Sequence, residues 1–223
     1  MKIIAIIPAR GGSKGIPKKN ITPFCGMPLI YWSVTQAISS GMDEVIVSTD
    51  DQEIKEVVNS FDFSLVKVID RPADLAEDTS SSEDALLHVL DSIEEQPDFV
   101  VFLQATSPLR RACDIPRALN RMVDKNLDSL FSASIVDDIT LWDGKGNSIT
   151  YDWTKRGRRQ DRPKYYLENG SIFIFKPEVL RKNHNRLGGK IGMYIMDSWQ
   201  SFEIDNLEGL ELCEYYFKKR LRA

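Results

Sequence analysis

Residues 1–20 read MKIIAIIPARGGSKGIPKKN and predict the fold class of the whole chain. The apolar run from Ile3 to Ile7, extended by Ala9, has no polar alternation, which is typical of a strand buried on both faces of a parallel sheet. A loop of small and basic residues follows this strand directly. Because ligands of open α/β sheets bind at the carboxyl ends of the strands, we expect this loop to be a binding loop.

The loop combines cations with glycines, which are Arg10, Lys14, Lys18 and Lys19 and Gly11, Gly12 and Gly15. Glycine lets backbone amides turn inward, and the cations neutralise negative charge, so the pattern favours a bound polyphosphate. Two standard phosphate motifs are absent. No Ser or Thr follows a Gly-Lys pair, and the Gly-Gly pair lacks the G-x-G-x-x-G spacing. A solvated basic turn is the alternative on composition alone.

Composition favours one globular domain over residues 1–223. The chain is 42% hydrophobic and 28% charged, values that are typical of folded proteins. It has no apolar run near the ~18 residues of a membrane span and no secretory signal pattern, so we expect a cytoplasmic protein that does not bind membranes. The net charge of −4 disfavours nucleic acid as a partner.

Apolar strands and amphipathic helices alternate along the chain. This alternation predicts right-handed parallel crossovers and therefore a Rossmann-like, mostly parallel sheet flanked by helices. We expect strands at 3–7, 44–49, 65–69, 99–103, 129–136, 171–175 and 191–196, and helices at 28–38, 52–60, 83–93, 114–125, 177–181 and 207–221.

Residues 137–168 interrupt this alternation with a turn-rich, aromatic and basic segment. The pairs Asp143-Gly144 and Gly146-Asn147 are turn signals, which favour an inserted hairpin or arm rather than a core βα unit. The segment also holds a basic cluster of Lys155, Arg156, Arg158, Arg159, Arg162 and Lys164. An exposed, solvated hairpin is the alternative to a binding role for this cluster.

Two carboxylates near the carboxyl end of the chain, Glu203 and Asp205, are candidate metal ligands. In an extended segment, residues two apart point to the same side. A triphosphate brings most of the remaining oxygens that Mg²⁺ needs, so two protein carboxylates would suffice for Mg²⁺ or Mn²⁺. A charged edge strand is the alternative.

Seven blocks resemble the acylneuraminate cytidylyltransferases, the CMP-sialic acid synthetases. They occur in the order of that family and cover nearly the whole chain. The blocks are IPARGGSKGIPKKN (7–20), VSTDD (47–51), RPADLA with DT (71–79), LQATSPLR (103–110), RRQD (158–161), ENGSI (168–172) and EID (203–205).

The resemblance implies a nucleotide-diphospho-sugar transferase fold and the transfer of CMP from CTP to the anomeric hydroxyl of a nine-carbon 2-keto sugar acid, with release of pyrophosphate. It also implies a homodimer in which the arm at 137–168 reaches the partner subunit and presents cations to the sugar carboxylate. Arginine suits that task because its planar fork can bind both carboxylate oxygens.

The resemblance also assigns site residues. The implied catalytic residues are Arg10, Lys19 and Asp205, with Asp205 and Glu203 as metal ligands. The implied nucleotide-binding residues are Ala9, Arg10, Gly11, Gly12, Ser13, Lys14, Lys19, Asn20, Arg71, Ser80 and Ser81. The implied sugar-binding residues are Gln104, Arg110, Arg158, Arg159, Gln160, Asn169 and Gly170.

The sugar itself is left open, because the chain departs from the family pattern in three places. Glu203 replaces a common Asp, Ala105 replaces a Pro, and Leu167 stands where some sialic acid enzymes carry a basic residue. N-acetylneuraminate, its deaminated form, legionaminate and pseudaminate are all candidates. Eight-carbon Kdo is a further one, although transferases for Kdo usually have a less glycine-rich first loop.

Two other classes of function are weighed against this one. A nicotinamide-dependent oxidoreductase would need an acidic residue at the end of the second strand, which Asp50 supplies, and a G-x-G-x-x-G turn, which the first loop lacks. A non-catalytic nucleotide-binding protein would use the same loop without turnover, and the sequence leaves that reading open.

Overall fold

The computed structural model describes residues 1–136, 139–161 and 163–221, without the side chain of Arg159. The strands are β1 (Ile3–Pro8), β2 (Pro23–Phe24), β3 (Met27–Pro28), β4 (Glu44–Thr49), β5 (Val66–Asp70), β6 (Phe99–Leu103), β7 (Ser129–Val136), β8 (Tyr165–Phe175) and β9 (Ile191–Met196). The α-helices are α1 (Leu29–Ser39), α2 (Gln52–Asn59), α3 (Ser82–Ser92), α4 (Asp114–Asp124), α5 (Pro177–Asn183) and α6 (Leu207–Arg220). Short 3₁₀ helices lie at Lys19–Ile21, Ala73–Leu75, Trp153–Lys155, Arg159–Asp161 and Ser198–Ser201.

One sheet of seven strands organises the fold, in the order β5-β4-β1-β6-β8-β7-β9. Strand β8 is antiparallel to both of its neighbours, and the other pairs are parallel. The predicted mostly parallel, Rossmann-like sheet is therefore confirmed. The chain runs outward from β1 to β4 and β5 and then returns to place β6 on the other side of β1. The first loop thus leaves the sheet where the strand order reverses, which is where α/β sheets bind ligands.

Both faces of β1 are buried, which explains its unbroken apolar sequence. Ile4 and Ile6 pack on one side with residues of α3, whereas Ala5 and Ile7 pack on the other with residues of α1, α2 and α4. All four side chains are 0% exposed. Burial of an isoleucine side chain stabilises a fold by roughly 1.5–3 kcal/mol, so the strand that carries the first loop is firmly held.

Side-chain caps fix the starts of two helices near the first loop. The Asp51 carboxylate accepts hydrogen bonds from the backbone N–H groups of Glu53 and Ile54 and so begins α2. Ser81 and Asp84 form a capping box at the start of α3. No α-helix among the described residues combines the length and the apolar character needed to cross a membrane.

Strand β8 is longer than its predicted span of 171–175. Its first half pairs with β7, from Tyr165 opposite Val136 to Glu168 opposite Ala133, before the register shifts. Residues 165–168 of the predicted arm therefore belong to the sheet. A small hairpin precedes them, closed by a bridge between Trp142 and Ser148. Asp137, Asp138 and Arg162 of the predicted arm lie outside the described residues.

Candidate active site

A cleft of about 490 Å³ opens at the carboxyl ends of β1 and β6. Its walls come from the first loop, the segment after β5, the first turn of α3, the loop after β6 and the segment before α6. Ten of the residues assigned from the sequence line it, which are Arg10, Ser13, Lys14, Lys19, Asn20, Arg71, Ser80, Ser81, Gln104 and Asp205. Residues that are far apart in the chain thus converge on one space.

Close backbone packing explains two of the glycines in the first loop. A Cβ atom at Gly11 would lie 2.5 Å from Asp51 Oδ2, and one at Gly15 would overlap the carbonyl oxygen of Asp205. The Gly11 N–H donates to Asp50 Oδ1 at 3.1 Å. Gly11 therefore packs against the start of α2 rather than facing the cleft, whereas Gly15 lets the first loop touch the segment before α6.

Two other residues assigned to the nucleotide are not among the cleft-lining residues. Ala9 is 0% exposed, and its N–H donates to the carbonyl oxygen of Ser48. A Cβ atom at Gly12 would meet no atom within 4 Å, so open space surrounds that position. Any contact that Ala9 makes with a ligand would have to come from its backbone, because its side chain belongs to the core.

Asp78 joins the two cations at the mouth of the cleft. Lys14 Nζ lies 2.6 Å from Asp78 Oδ2, and Arg10 Nη2 lies 3.2 Å from Asp78 Oδ1. The hydrogen bond from Lys14, followed by the charges of Lys14 and Arg10, lowers the pKa of Asp78. Lys18 is instead paired with Glu53 of α2. Asp78 lies in one of the blocks that carry the family resemblance, but the resemblance assigns no role to its carboxylate.

Lys19 links the first loop to the late acidic pair. Its Nζ atom donates to Asp205 Oδ1 at 3.0 Å, and the Lys19 side chain is 14% exposed against 74% for Asp205. The cation is thus held in a partly desolvated position, where its field is stronger than in water. This pair places the two parts of the site predicted from the sequence side by side.

Glu203 lies behind Asp205 in a less exposed position. Ser107 Oγ donates to Glu203 Oε1 at 3.3 Å, and a Cβ atom at Gly170 would overlap that same oxygen. Burial, and then the charge of Asp205, raises the pKa of Glu203. The segment is fixed by the N–H of Ile204, which donates to the carbonyl oxygen of Thr106 at 2.9 Å.

Asp205 and Glu203 fit a hard divalent cation in charge and donor type. Asp205 faces the cleft, and Glu203, which precedes it by two residues, accepts from Ser107 in the loop after β6. Among residues 1–136, 139–161 and 163–221 there is no group of three or more His, Cys, Asp or Glu side chains that could hold a metal. A cation here would therefore need oxygens from its substrate.

Arg110, which the sequence assigned to the sugar, is 1% exposed and faces inward. It donates to the carbonyl oxygens of Ser171 and Gln104 and to the side chains of Ser33 and Gln36. Burial lowers its pKa, and the charges of Asp114 and Glu203 partly offset that effect. Arg110 thus fixes the backbone of Gln104, whose side chain lines the cleft, and its assignment to the sugar stays a prediction.

Arg71 lines the cleft with most of its side chain buried. Its Nη2 and Nε atoms donate to the backbone oxygen and the hydroxyl of Ser48 at 2.6 and 3.1 Å. Burial is the main cause that lowers its pKa, and the charge of Asp50 opposes it. Arg71 therefore ties the segment after β5 to the end of β4.

Asn169, also assigned to the sugar, is 3% exposed. Its Oδ1 atom accepts from Ser132 Oγ at 2.6 Å, and its Nδ2 atom donates to Ser134 Oγ. The amide thus stabilises the irregular β7–β8 pairing, and the assignment of Asn169 to the sugar stays a prediction. Gly170, at φ +63, stays beside the site: a Cβ atom there would lie 3.5 Å from Gln104 Nε2.

Of the arm residues assigned to the sugar, Arg158 and Gln160 are not among the residues that line this cleft. Arg158 pairs with Asp161 and lines a separate cavity of about 240 Å³ with Tyr151 and Tyr165. Gln160 is exposed in a 3₁₀ helix, and the side chain of Arg159 lies outside the described groups. A role for these residues across a subunit interface stays a prediction.

Comparison with known proteins adds independent information. Residues 4–216 match the model of the cytidylyltransferase family. The chain is 34% identical over 213 residues to the N-acylneuraminate cytidylyltransferase of Streptococcus agalactiae serotype III (strain NEM316), covering 92% of this chain and 51% of that protein. It thus spans about half the length of that relative.

Two further proteins are similar over nearly their full length. One is the pseudaminic acid cytidylyltransferase of Campylobacter jejuni subsp. jejuni serotype O:23/36 (strain 81-176), at 29% identity over 98% of this chain and 97% of that protein. The other is a solved structure of CMP:2-keto-3-deoxy-manno-octonic acid synthetase complexed with CTP. It has a TM-score of 0.72 and 20% identity, with 98% of this chain and 99% of that chain covered. This structure supports the fold alone.

Proposed function

This chain belongs to the cytidylyltransferase family, and from that premise we propose that it transfers CMP from CTP to the anomeric hydroxyl of a nine-carbon 2-keto sugar acid and releases pyrophosphate. The observation that carries the proposal is the contact between Lys19 and Asp205 at the wall of the cleft. The contact places a cation that would bind phosphate beside a carboxylate that would bind a metal ion. Nucleotidyl transfer needs both groups close together.

The first loop would hold the triphosphate. Arg10, Lys14 and Lys19 supply positive charge along one wall, and Ser13 adds a hydroxyl donor. Lys19 is the least exposed of these cations, so it would stabilise most strongly the charge that develops on the phosphates during displacement. Arg71, Ser80 and Ser81 would contact the rest of the nucleotide from the opposite wall.

Asp205, with Glu203 behind it, would hold the divalent cation, which we propose to be Mg²⁺ or Mn²⁺. When bound, that ion would neutralise phosphate charge and orient the triphosphate. The Lys19 ammonium keeps the Asp205 carboxylate directed toward the first loop. Ser107 donates to Glu203 and so holds that carboxylate beside Gly170.

Gln104 is the cleft residue that we propose to bind the sugar, with Gly170 beside it. Arg110 fixes the Gln104 backbone by donating to its carbonyl oxygen, so the amide is presented from a rigid base. The sugars named in the two relatives, an N-acylneuraminate and pseudaminic acid, define the substrate class that we propose.

A homodimer would complete the sugar site. Three large apolar side chains share one face at the ends of β7, β8 and β9, since Ile135 lies opposite Tyr166 and Ile195 lies opposite Ala133. Ile135, Tyr166 and Ile195 are 37%, 44% and 38% exposed, which makes this face a candidate interface. The adjoining segment with Arg158 and Gln160 would then reach the cleft of the partner subunit.

The test is a substrate panel. The protein is incubated with CTP, Mg²⁺ and each of several nonulosonic acids, with Kdo included, and pyrophosphate release is measured. We expect release with at least one nonulosonic acid and little with Kdo. Release with none of the sugars would contradict the proposal, and release with Kdo alone would redirect it to the eight-carbon acid.

A companion variant separates an enzyme from a non-catalytic nucleotide-binding protein. The Asp205→Asn substitution replaces a proposed metal ligand with a weaker one and leaves the other residues that line the cleft unchanged. We expect metal-dependent turnover to fall steeply and CTP binding to persist. CTP binding without turnover in the unsubstituted protein, whatever the sugar, would favour the non-catalytic alternative.

A further inference from the structure

Arg186 lies in a position that the proposed reaction does not explain. Its guanidinium carbon is 4.3 Å from the ring centroid of Phe173 and 5.1 Å from that of Phe102. The two rings are themselves stacked, 5.6 Å apart and 19° from parallel, on neighbouring strands β6 and β8. A cation over aromatic faces is stabilised most when it is desolvated, and this side chain is only 20% exposed.

Glu83 approaches the same guanidinium from α3. Arg186 Nη1 lies 3.4 Å from Glu83 Oε1, and the Glu83 side chain is 16% exposed. Within the described part of the chain, this buried Nη1 atom makes no hydrogen bond, so its pairing with Glu83 is electrostatic. Arg186 is thus held between a carboxylate and two aromatic rings.

Two of the three contacts of Arg186 lead to the cleft. Glu83 belongs to the first turn of α3, and its neighbours Ser81 and Ser82 line the cleft. Phe102 belongs to β6 and lines the cleft as well. Arg186 itself does not, so any influence on a ligand has to pass through these neighbours.

We propose that Arg186 is a positioning residue for the nucleotide, which sets the first turn of α3 and the Phe102 ring at the wall of the cleft. This inference rests on the proposed function, since it concerns the same cleft and CTP. The Arg186–Glu83 pair holds the start of α3 against the sheet, and Ser81 and Ser82 are thereby presented at a fixed distance from the first loop.

The chain offers a matched control at the other end of the same helix. Arg181 Nη1 lies 2.6 Å from Asp91 Oδ1, and Arg181 Nη2 donates to Gln96. This arginine also ties α3 to its surroundings, but Asp91 is at the carboxyl end of the helix, away from the cleft. The Arg181→Met variant therefore shows how Tm and the Kd for CTP respond when α3 loses a contact that lies away from the cleft.

The experiment compares Arg186→Met, Arg186→Lys, Glu83→Gln and Arg181→Met with the unsubstituted protein. CTP binding is measured by calorimetry, and KM for CTP, KM for the sugar, kcat and Tm are measured on the same preparations. We expect Arg186→Met to raise the Kd and KM for CTP roughly five- to tenfold, the range that loss of one desolvated cation–π and ion-pair contact gives.

The pattern across the variants is specific. We expect kcat and the KM for the sugar to stay within about twofold in Arg186→Met, and Arg186→Lys to recover part of the CTP affinity, because lysine keeps the charge but not the planar stacking. Glu83→Gln is expected to weaken CTP binding in the same direction. Arg181→Met is expected to lower Tm without changing the Kd for CTP.

Three outcomes would overturn the inference. These are an unchanged Kd for CTP in both Arg186→Met and Glu83→Gln, an equal loss of affinity in Arg181→Met, and a selective rise in the KM for the sugar. If Arg186→Met does not fold, Glu83→Gln and Arg186→Lys decide the question. If the unsubstituted protein does not bind CTP, both the proposed function and this inference are overturned. If it binds CTP and the variants do not behave as expected, only the inference about Arg186 fails.

Discussion

Lys19 Nζ donates to Asp205 Oδ1 at 3.0 Å, although the two residues are 186 positions apart in the chain. The pair joins a loop after the first strand to a segment before the last helix. We therefore expect the reaction to depend on this contact more than on the other cations of the first loop, which are more exposed.

Replacement of Lys19 tests that expectation. Lys19→Met is expected to lower kcat/KM about 10²- to 10³-fold, because a partly desolvated donor to developing phosphate charge is lost. Lys18→Met is the matched control, since Lys18 pairs with Glu53. Steady-state kinetics with saturating sugar checks both variants. Equal losses in the two would contradict a special role for Lys19.

Replacement of Asp78 is expected to tighten nucleotide binding. Asp78 neutralises Lys14 and Arg10 in the absence of ligand, so Asp78→Asn leaves both cations to the triphosphate. We expect the Kd for CTP to fall about two- to fivefold at low ionic strength and the gain to shrink as salt rises.

Asp74→Asn is the control for Asp78→Asn, because it removes a nearby charge from the 3₁₀ helix Ala73–Leu75. Calorimetric titration at two salt concentrations separates the two variants. Weaker CTP binding in Asp78→Asn would show instead that Asp78 holds the first loop in its binding conformation.

A side chain at position 170 should impair the site. Gly170 has φ +63, and a Cβ atom there would overlap Glu203 Oε1. We expect Gly170→Ala to cost about 1–2 kcal/mol of stability from the left-handed backbone alone and to lower turnover more than tenfold by displacing Glu203. Gly144→Ala, where a Cβ atom meets nothing within 4 Å, is the control. Wild-type turnover in Gly170→Ala would contradict the placement of Glu203.

The structural role of Arg110 can be checked by unfolding. Since Arg110 is buried with several hydrogen bonds, Arg110→Met is expected to lower the free energy of unfolding by about 3 kcal/mol or more. Urea denaturation measures this loss. A variant of unchanged stability with a raised KM for the sugar would instead support the assignment of Arg110 to the substrate.

The sequence predicted those parts of the fold that depend on local pattern. The unbroken apolar run at 3–7 identified a strand buried on both faces, and the amphipathic pattern at 83–93 identified α3. The first half of β8 was not predicted as a strand, because it lacks a continuous buried apolar run: Tyr166 and Leu167 are both exposed. Pairing with β7 across a register shift holds this half in the sheet.

The inward-facing placement of two assigned site residues could not be predicted from the sequence. Arg110 and Asn169 stand in recognised blocks beside the cleft, and from the sequence either could face a ligand. Their hydrogen-bond partners, such as Gln36 for Arg110 and Ser132 for Asn169, lie far away in the chain. Only the folded chain shows that these partners satisfy the two side chains inside the protein.

The contact of Gly15 with the carbonyl oxygen of Asp205 bears on how the protein is made. Since ribosomes synthesise the amino-terminal end first, the first strand and its loop emerge well before residue 205. A nascent chain that ends before residue 205 therefore has the first loop but neither the wall nor the carboxylate that adjoins it. The cleft is therefore complete only after residue 205 has been synthesised, and a shorter nascent chain lacks the Asp205 carboxylate beside Lys19.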